Sequence, residues 1–358
     1  FHLLDHDEFI ESCPGCQAKA RNKKHFRGAF KREEPRYEGA MTMDQVSMAD
    51  VDGTLGIGGY RYAIVLCKIS EDQWTFQPLR TLTSEEASRK FKEFASAFNH
   101  GDWSSVLVYC DAHRALIKIC DDFNVTRRFP PPGRPQANAV IERKIGYALE
   151  GLRAYLATGC LPNCFWPFAG HCFSVNSCLR KKKGEDKRSA YELMYGDGAQ
   201  NFDQFLTGEL VFYKPAKTIF VTAKTDSPLR PGVFLDYYMF PDGKFSGQYY
   251  VTDLEDFVGK SLHHRIGAQE FKLRIHRTEV VRLPVGALCP VFPTRLKYWR
   301  ANYTLEGLDR FAENKDDLTA LPDFTEQTRQ VADEWKLSLI HISEPTRRYA
   351  ISYAVFCL

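Results

Sequence analysis

The order of its apolar runs constrains this chain most. From Met41 three short β-rich runs follow one another, MTMDQVSM, YRYAIVLCKI and QWTFQPL, with the turn pairs Asp52-Gly53 and Glu71-Asp72 between them. Short runs rich in β-branched and aromatic residues, punctuated in this way, predict an antiparallel meander. The period then changes. In SEEASRKFKEFASAF the residues Ala87, Phe91, Phe94, Ala95 and Phe98 fall at helical spacing, and Thr83 with Glu86 has the form of a capping box. The apolar strand SVLVYCD ends at Asp111; a helix over about His113 to Phe123 and a short strand, VTRRF, come next. PPPG breaks the chain. From Pro135 to Thr158 the residues Val140, Ile141, Ala148, Leu149, Leu152, Tyr155 and Leu156 recur at helical spacing, which predicts a long helix. The order β-β-β-α-β-α-β-α predicts an α/β, three-layer core: a five-stranded mixed sheet with helices on both faces.

Beyond Phe202 the texture shifts to short alternating runs (LVFYKP, TIFVTA, GVFLDYYM, GQYYVTDL) with Pro241-Asp242-Gly243 as a turn signal, predicting a small β-barrel-like domain. The chain therefore divides into a His/Cys segment at 1–18, a basic linker at 19–36, an α/β core at 37–201, a β-rich unit at 202–300 and an uninformative tail at 301–336. The last stretch, LSLIHISEPTRRYAISYAVFCL from Leu337 to Leu358, is similar to a translated sequencing adapter and is set aside, His341 and Cys357 with it. A start at Phe1, directly before a metal-like cluster, reads as that of a fragment.

Composition excludes several classes. With 44% hydrophobic and 26% charged residues the chain is not disordered throughout. Lys+Arg 48 against Asp+Glu 45 leaves a net charge of +3, so any basic surface is local. Eleven cysteines without a signal-like leader predict reduced thiols in an intracellular compartment rather than a disulfide scaffold. No run approaches the roughly 18 apolar residues of a membrane span, so no membrane partner is expected.

Three acids stand where this layout brings chain segments together: Asp44 midway along the first strand, Asp111 at the end of the fourth, and Glu142 one to two turns into the long helix. Clustered carboxylates hold pairs of hard divalent cations for phosphoryl transfer, and without cations they repel one another. The meander with parallel additions matches the ribonuclease-H-like layout. The surrounding motifs carry a resemblance. MTMDQVSM, VLVYCDAHRALIKIC and PPGRPQANAVIERKIGYALEGLRAYL resemble the first-aspartate strand, the second-aspartate strand with its helix, and the glutamate helix of retroviral-type integrases, specifically those of copia-type LTR retrotransposons. LPNCFWPFAGH, SAYELMYGDG and, more faintly, PLRPGVFLDYYMFPDGKFSGQYYVTDLEDF extend the similarity through the core into the small β-domain.

The resemblance implies that Asp44, Asp111 and Glu142 form an acidic triad binding two Mg²⁺ or Mn²⁺ ions. It also implies that Gln136 and Asn138 meet a DNA end, with Arg143 and Lys144 facing the phosphates. An N-terminal zinc module is implied as well, with His6, Cys13 and Cys16 as ligands of a partial Zn²⁺ site and His2 as a spare. The linker cations, among them Lys19, Arg21, Lys23 and Lys24, together with Arg127-Arg128 and the run from Arg180 to Lys183, are expected to neutralise DNA phosphates. The implied activity is processing of DNA 3′ ends and their transfer into target DNA, by a homo-oligomer that reaches the nucleus, with the chain either standing alone or forming part of a polyprotein. Departures exist: Ala112 and Ala115 replace a usual asparagine and acidic residue, Ala139 replaces a glycine, and the Asp111–Glu142 interval is a few residues short. They support an alternative, an inactive or domesticated DNA-binding module. A nuclease of RNA:DNA hybrids shares the layout, but the segment from Gln136 to Arg143 does not resemble that family.

Overall fold

The computed structural model describes residues 2–5, 10, 12–18, 40–49, 53–98, 102–103, 106–129, 139–180, 188–196, 198–199, 201–216, 220, 224–225, 227–284 and 290–295. His6, the linker 19–36, Gln136, Asn138 and the stretches 301–336 and 337–358 lie outside them.

After two short helices, α1 (His2–Asp5) and α2 (Pro14–Ala18), the chain builds a five-stranded sheet. Its strands are β1 (Ala40–Ser47), β2 (Tyr62–Lys68), β3 (Gln73–Leu79), β4 (Leu107–Tyr109) and β5 (Thr126–Arg128), in the order β3-β2-β1-β4-β5. The first three pair antiparallel, while β4 and β5 add in parallel. Side-chain alternation sorts the faces. Met41, Met43, Ile64 and Leu66 pack with α3 (Ser84–Ala95) and α4 (Arg114–Asp122). Ala63, Val65 and Cys67 pack with α5 (Ala139–Gly159) and α6 (Trp166–Leu179). A mixed α/β sheet covered on both sides, in this strand order, is consistent with the expected ribonuclease-H-like core.

Two local expectations need correction. Thr83 is the N-cap of α3 but makes no side-chain cap hydrogen bond. Glu86 instead accepts from the backbone N–H groups of Arg80 and Thr81, at 2.9 and 3.1 Å, which are the donors the bend before the helix leaves open. A complete capping box does form at α7 (Ala190–Tyr195), between Ser189 and Glu192. On α5, Ile141, Ala148, Leu152, Tyr155 and Leu156 are buried, but Val140 in the first turn is 39% exposed.

The second sheet contains β6 (Leu210–Tyr213), β7 (Arg230–Met239), β8 (Phe245–Asp253), β9 (Ile275–Thr278) and β10 (Val281–Arg282), antiparallel throughout in the order β10-β6-β7-β8-β9. Asp242-Gly243 turns β7 into β8, with Gly243 at φ 81, which a side chain would oppose. Among the described residues no pairing joins β9 to β10, and the β7–β8 ladder is bulged.

The change of texture at 202 is not a break in the core. α6 is buried on nearly all sides, as a helix apolar all round must be. Phe173 and Val175 belong to the same apolar cluster as Phe205, Phe234 and Tyr237. Polar groups are stapled through this layer. Asn176 Nδ2 donates to Tyr155 Oη at 3.0 Å and to the Phe205 carbonyl at 2.9 Å, while Tyr237 Oη donates to Asn176 Oδ1 at 2.8 Å. Such a network is favourable because every member is satisfied.

Glu209, at the entry to β6, is 3% exposed and its carboxylate accepts from Leu206 N–H. Burial pushes its pKa from 4.5 to about 8. Between those values the unfolded chain has released a proton that the folded chain still holds, so stability falls as pH rises through this window. Glu209→Gln is therefore expected to be more stable than the parent at pH 9, by a few kcal/mol at most, and to show little difference at pH 5. Urea midpoints at the two pH values test this.

Candidate functional site

Strand register alone brings two of the acids level. β1 and β4 run parallel with Thr42 opposite Tyr109, so two residues further on Asp44 stands level with Asp111, just beyond the last paired rung (44 − 42 = 2 and 111 − 109 = 2). Asp111 thus follows β4 rather than ending it. The alternation that sends Met43 and Cys110 towards α3 and α4 sends Asp44 and Asp111 to the α5 face. Glu142 lies on that face too, in the first turn of α5, nearer the helix start than expected because the helix begins at Ala139. All three acids gather at the carboxyl ends of parallel strands, where open α/β sheets place their ligands.

The carboxylates feel one another. Asp44 is half-buried, while Asp111 and Glu142 are exposed. Burial, first, and then the charges of Asp111 and Glu142 hold the Asp44 carboxyl above its ordinary 3.8; the Gln45 N–H, 2.7 Å from Asp44 Oδ1, and nearby His113 favour the anion. His113, the N-cap residue of α4, was not singled out by the sequence, although its position two residues after Asp111 is the signal that finds it. Among the described residues, the trio with ligand atoms all within 4.8 Å of one another is His2, Cys13 and Cys16, so the three carboxylates are spread more widely than a single-ion site. A donor set made only of carboxylates, with a central member strained by its neighbours, fits hard divalent cations.

The neighbouring cations divide. Arg143 is exposed beside Glu142. Lys144 does not face outward with it: its Nζ donates to Asp72 at 2.6 Å and lies 5.5 Å from the Trp74 ring, with the side chain 14% exposed. The ammonium is paired with the β2–β3 turn. Arg127 likewise pairs with Asp121, while Arg128 is exposed.

At the N-terminus, α2 packs on α5 and carries Cys16, fully buried, with Cys13 just before it. His2 Nε2 lies 3.3 Å from Cys16 Sγ. The residue the sequence offered as a spare is therefore the histidine found with the two cysteines, and His6 lies outside the described residues. Burial pushes the Cys13 thiol up to about 11. A thiol so shifted stays protonated unless a metal displaces the proton, and two thiols with an imidazole suit Zn²⁺. The nine described cysteines form no disulfide among themselves.

No protein-family model and no curated protein matches the chain. The crystal structure of the catalytic core domain of BIV integrase is similar at 16% identity and a TM-score of 0.30, over 44% of this chain and 93% of that chain. A likeness at that level adds nothing to what the sheet order already gives. None of the described helices is long and apolar enough to cross a membrane.

Proposed function

We propose that the chain is an integrase of the copia-type retrotransposon class, a polynucleotidyl transferase that trims DNA 3′ ends and joins them to target DNA. The observation that carries this reading is the level placement of Asp44 and Asp111 on the α5 face, with Glu142 close enough to raise the Asp44 carboxyl. Asp44, Asp111 and Glu142 hold the divalent ions. When bound, Mg²⁺ or Mn²⁺ activates the attacking oxygen and stabilises the leaving one. Arg143, exposed next to Glu142, steadies a DNA phosphate. Gln136 and Asn138 belong to the same DNA-facing stretch, and the linker cations Lys19, Arg21, Lys23 and Lys24 add salt-sensitive affinity. Joining two ends at once calls for a homo-oligomer, and chromosomal target DNA for entry into the nucleus.

Incubation with a blunt duplex end and a target plasmid tests the reading. Joined products are expected with Mg²⁺ or Mn²⁺ and none with EDTA; cleavage of RNA:DNA hybrids in preference to joining would count against it. A second reading, a DNA-binding module without catalysis, is favoured by exposed Ala112 beside Asp111, where a polar neighbour is missing. Salt-sensitive binding without joining supports that reading instead.

For the His2, Cys13 and Cys16 cluster, one Zn²⁺ per chain is expected, with affinity rising as pH rises because thiol protons must leave. Cys16→Ser is expected to lose the metal and expose the 1–18 segment to protease; Co²⁺ absorption and limited proteolysis report the two effects.

A further inference from the structure

A second site opens away from the acidic triad, none of whose residues lines it. Between edge strand β3, helices α3, α6 and α7, and the β7–β8 hairpin lies a cavity of about 520 Å³, within the usual range for small-ligand sites. Asp44, Asp111 and Glu142 are not among its lining residues.

Its composition is layered. Rings, Tyr60, Phe168, Tyr195, Tyr238 and Tyr250 among them, share the walls with Gln73, Gln77 and the paired Lys90 and Glu93. At the floor His171 and Asp236, 9% and 6% exposed, form a pair, Nδ1 to Oδ2 at 2.8 Å. Asp236 also accepts from Tyr237 N–H at 2.8 Å, so the aspartate is satisfied and fixes the ring. With Nδ1 engaged, Nε2 is the nitrogen His171 can offer to an occupant of the cavity it lines. Three exposed cations stand over wall tyrosines: Arg80 5.3 Å from the Tyr60 ring centroid, Lys244 6.0 Å from Tyr195 and Arg277 4.6 Å from Tyr238. Among the described residues none of these three is paired with a carboxylate.

An occupant matching all three layers is flat, has one polar edge pointing inward, and carries negative charge at the mouth. A lipid tail or an apolar peptide leaves both the His171–Asp236 pair and the cations unmatched. An acidic peptide satisfies the cations but not the ring-lined interior. We propose that this cavity binds an unpaired nucleotide, its base stacked on the wall tyrosines with an edge towards His171 Nε2 and its phosphate at Arg80, Lys244 and Arg277. Aromatic stacking of this kind does not require a particular base, and the cations make binding salt-sensitive. The nucleotide is either free or part of a single strand. The inference stands apart from the metal-site reading and survives its failure.

The test uses the full chain, a fluorescein-labelled single-stranded 12-mer of deoxyadenylate, a duplex of the same length, and AMP. Tyr60→Ala with Tyr238→Ala is expected to weaken single-strand binding at least about tenfold, since each lost stack is worth roughly 1–3 kcal/mol. Arg277→Ala, on the exposed rim, is expected to weaken it less and to flatten its salt dependence. Duplex binding is expected to be unchanged in all of them. Competition by AMP identifies a free nucleotide as sufficient, whereas its failure with oligonucleotide binding retained identifies the strand. The proposal is overturned if neither probe binds the parent, if variants with parental melting curves bind the single strand normally, or if they lose duplex and single-strand binding alike.

Discussion

Asp111→Ala is expected to lower strand transfer about a thousandfold, roughly 4 kcal/mol of barrier, with no loss of fold. Asp111 is exposed and lies beyond the last rung of β4, so its removal spares the strand pairing. Asp44→Asn is expected to be equally inactive, with a further signature. The folded chain holds the Asp44 carboxyl above its ordinary value, through burial and the charges of Asp111 and Glu142, so charge at this position is disfavoured without cations. The metal-free variant should therefore melt no lower than the parent. Millimolar Mg²⁺ should raise the parent's melting temperature and leave the variant's unchanged, because only the parent binds the ion in its native state. Joining that survives either substitution, or an equal Mg²⁺ shift in both proteins, would remove the triad from the mechanism.

The second large effect concerns packing. Gly151 sits in the middle of α5 against Phe173 of α6, and a Cβ there would overlap that ring. Phe173 has no room to retreat: Tyr147 and Tyr155 lie 5.0 and 5.3 Å away between ring centroids, and Trp74 6.2 Å. Alanine gains up to about 1 kcal/mol of helix propensity over glycine, while overpacking a close-packed interior costs about 1–3 kcal/mol. Gly151→Ala is thus expected to be net destabilising by about 1–2 kcal/mol, and Gly151→Leu by enough to prevent soluble expression at 37 °C. Urea unfolding of the alanine variant decides the sign. A gain in stability would mean that α5 and α6 do not approach as closely as described.

The elements that set the first sheet were readable because each is local. The run MTMDQVSM matches β1 within one residue at each end, and the apolar positions of α3 are the ones buried, Phe98 in the bend after the helix excepted. The level placement of Asp44 and Asp111 needed parallel register, which no pattern in a single strand contains. Lys144 shows the same limit. Helical spacing puts it near Glu142, but its partner Asp72 lies 72 residues away, on a turn the chain folds back beneath α5. Thr83 and Ser189 carry the same four-residue signature, yet it closes only at Ser189, because Glu86 meets better-placed donors upstream. The resemblance put His6 ahead of His2, whereas the short helix α1 carries His2 to Cys16, and His6 lies outside the described residues.

The uninterrupted packing from Phe173 through Phe234 has a mechanical corollary. Two sheets that share one interior are expected to move together rather than to hinge about residue 201. A shortened chain ending there would strip α6 of half its cover and present a greasy flank to water, so its two halves must be made, melted and moved as a single piece.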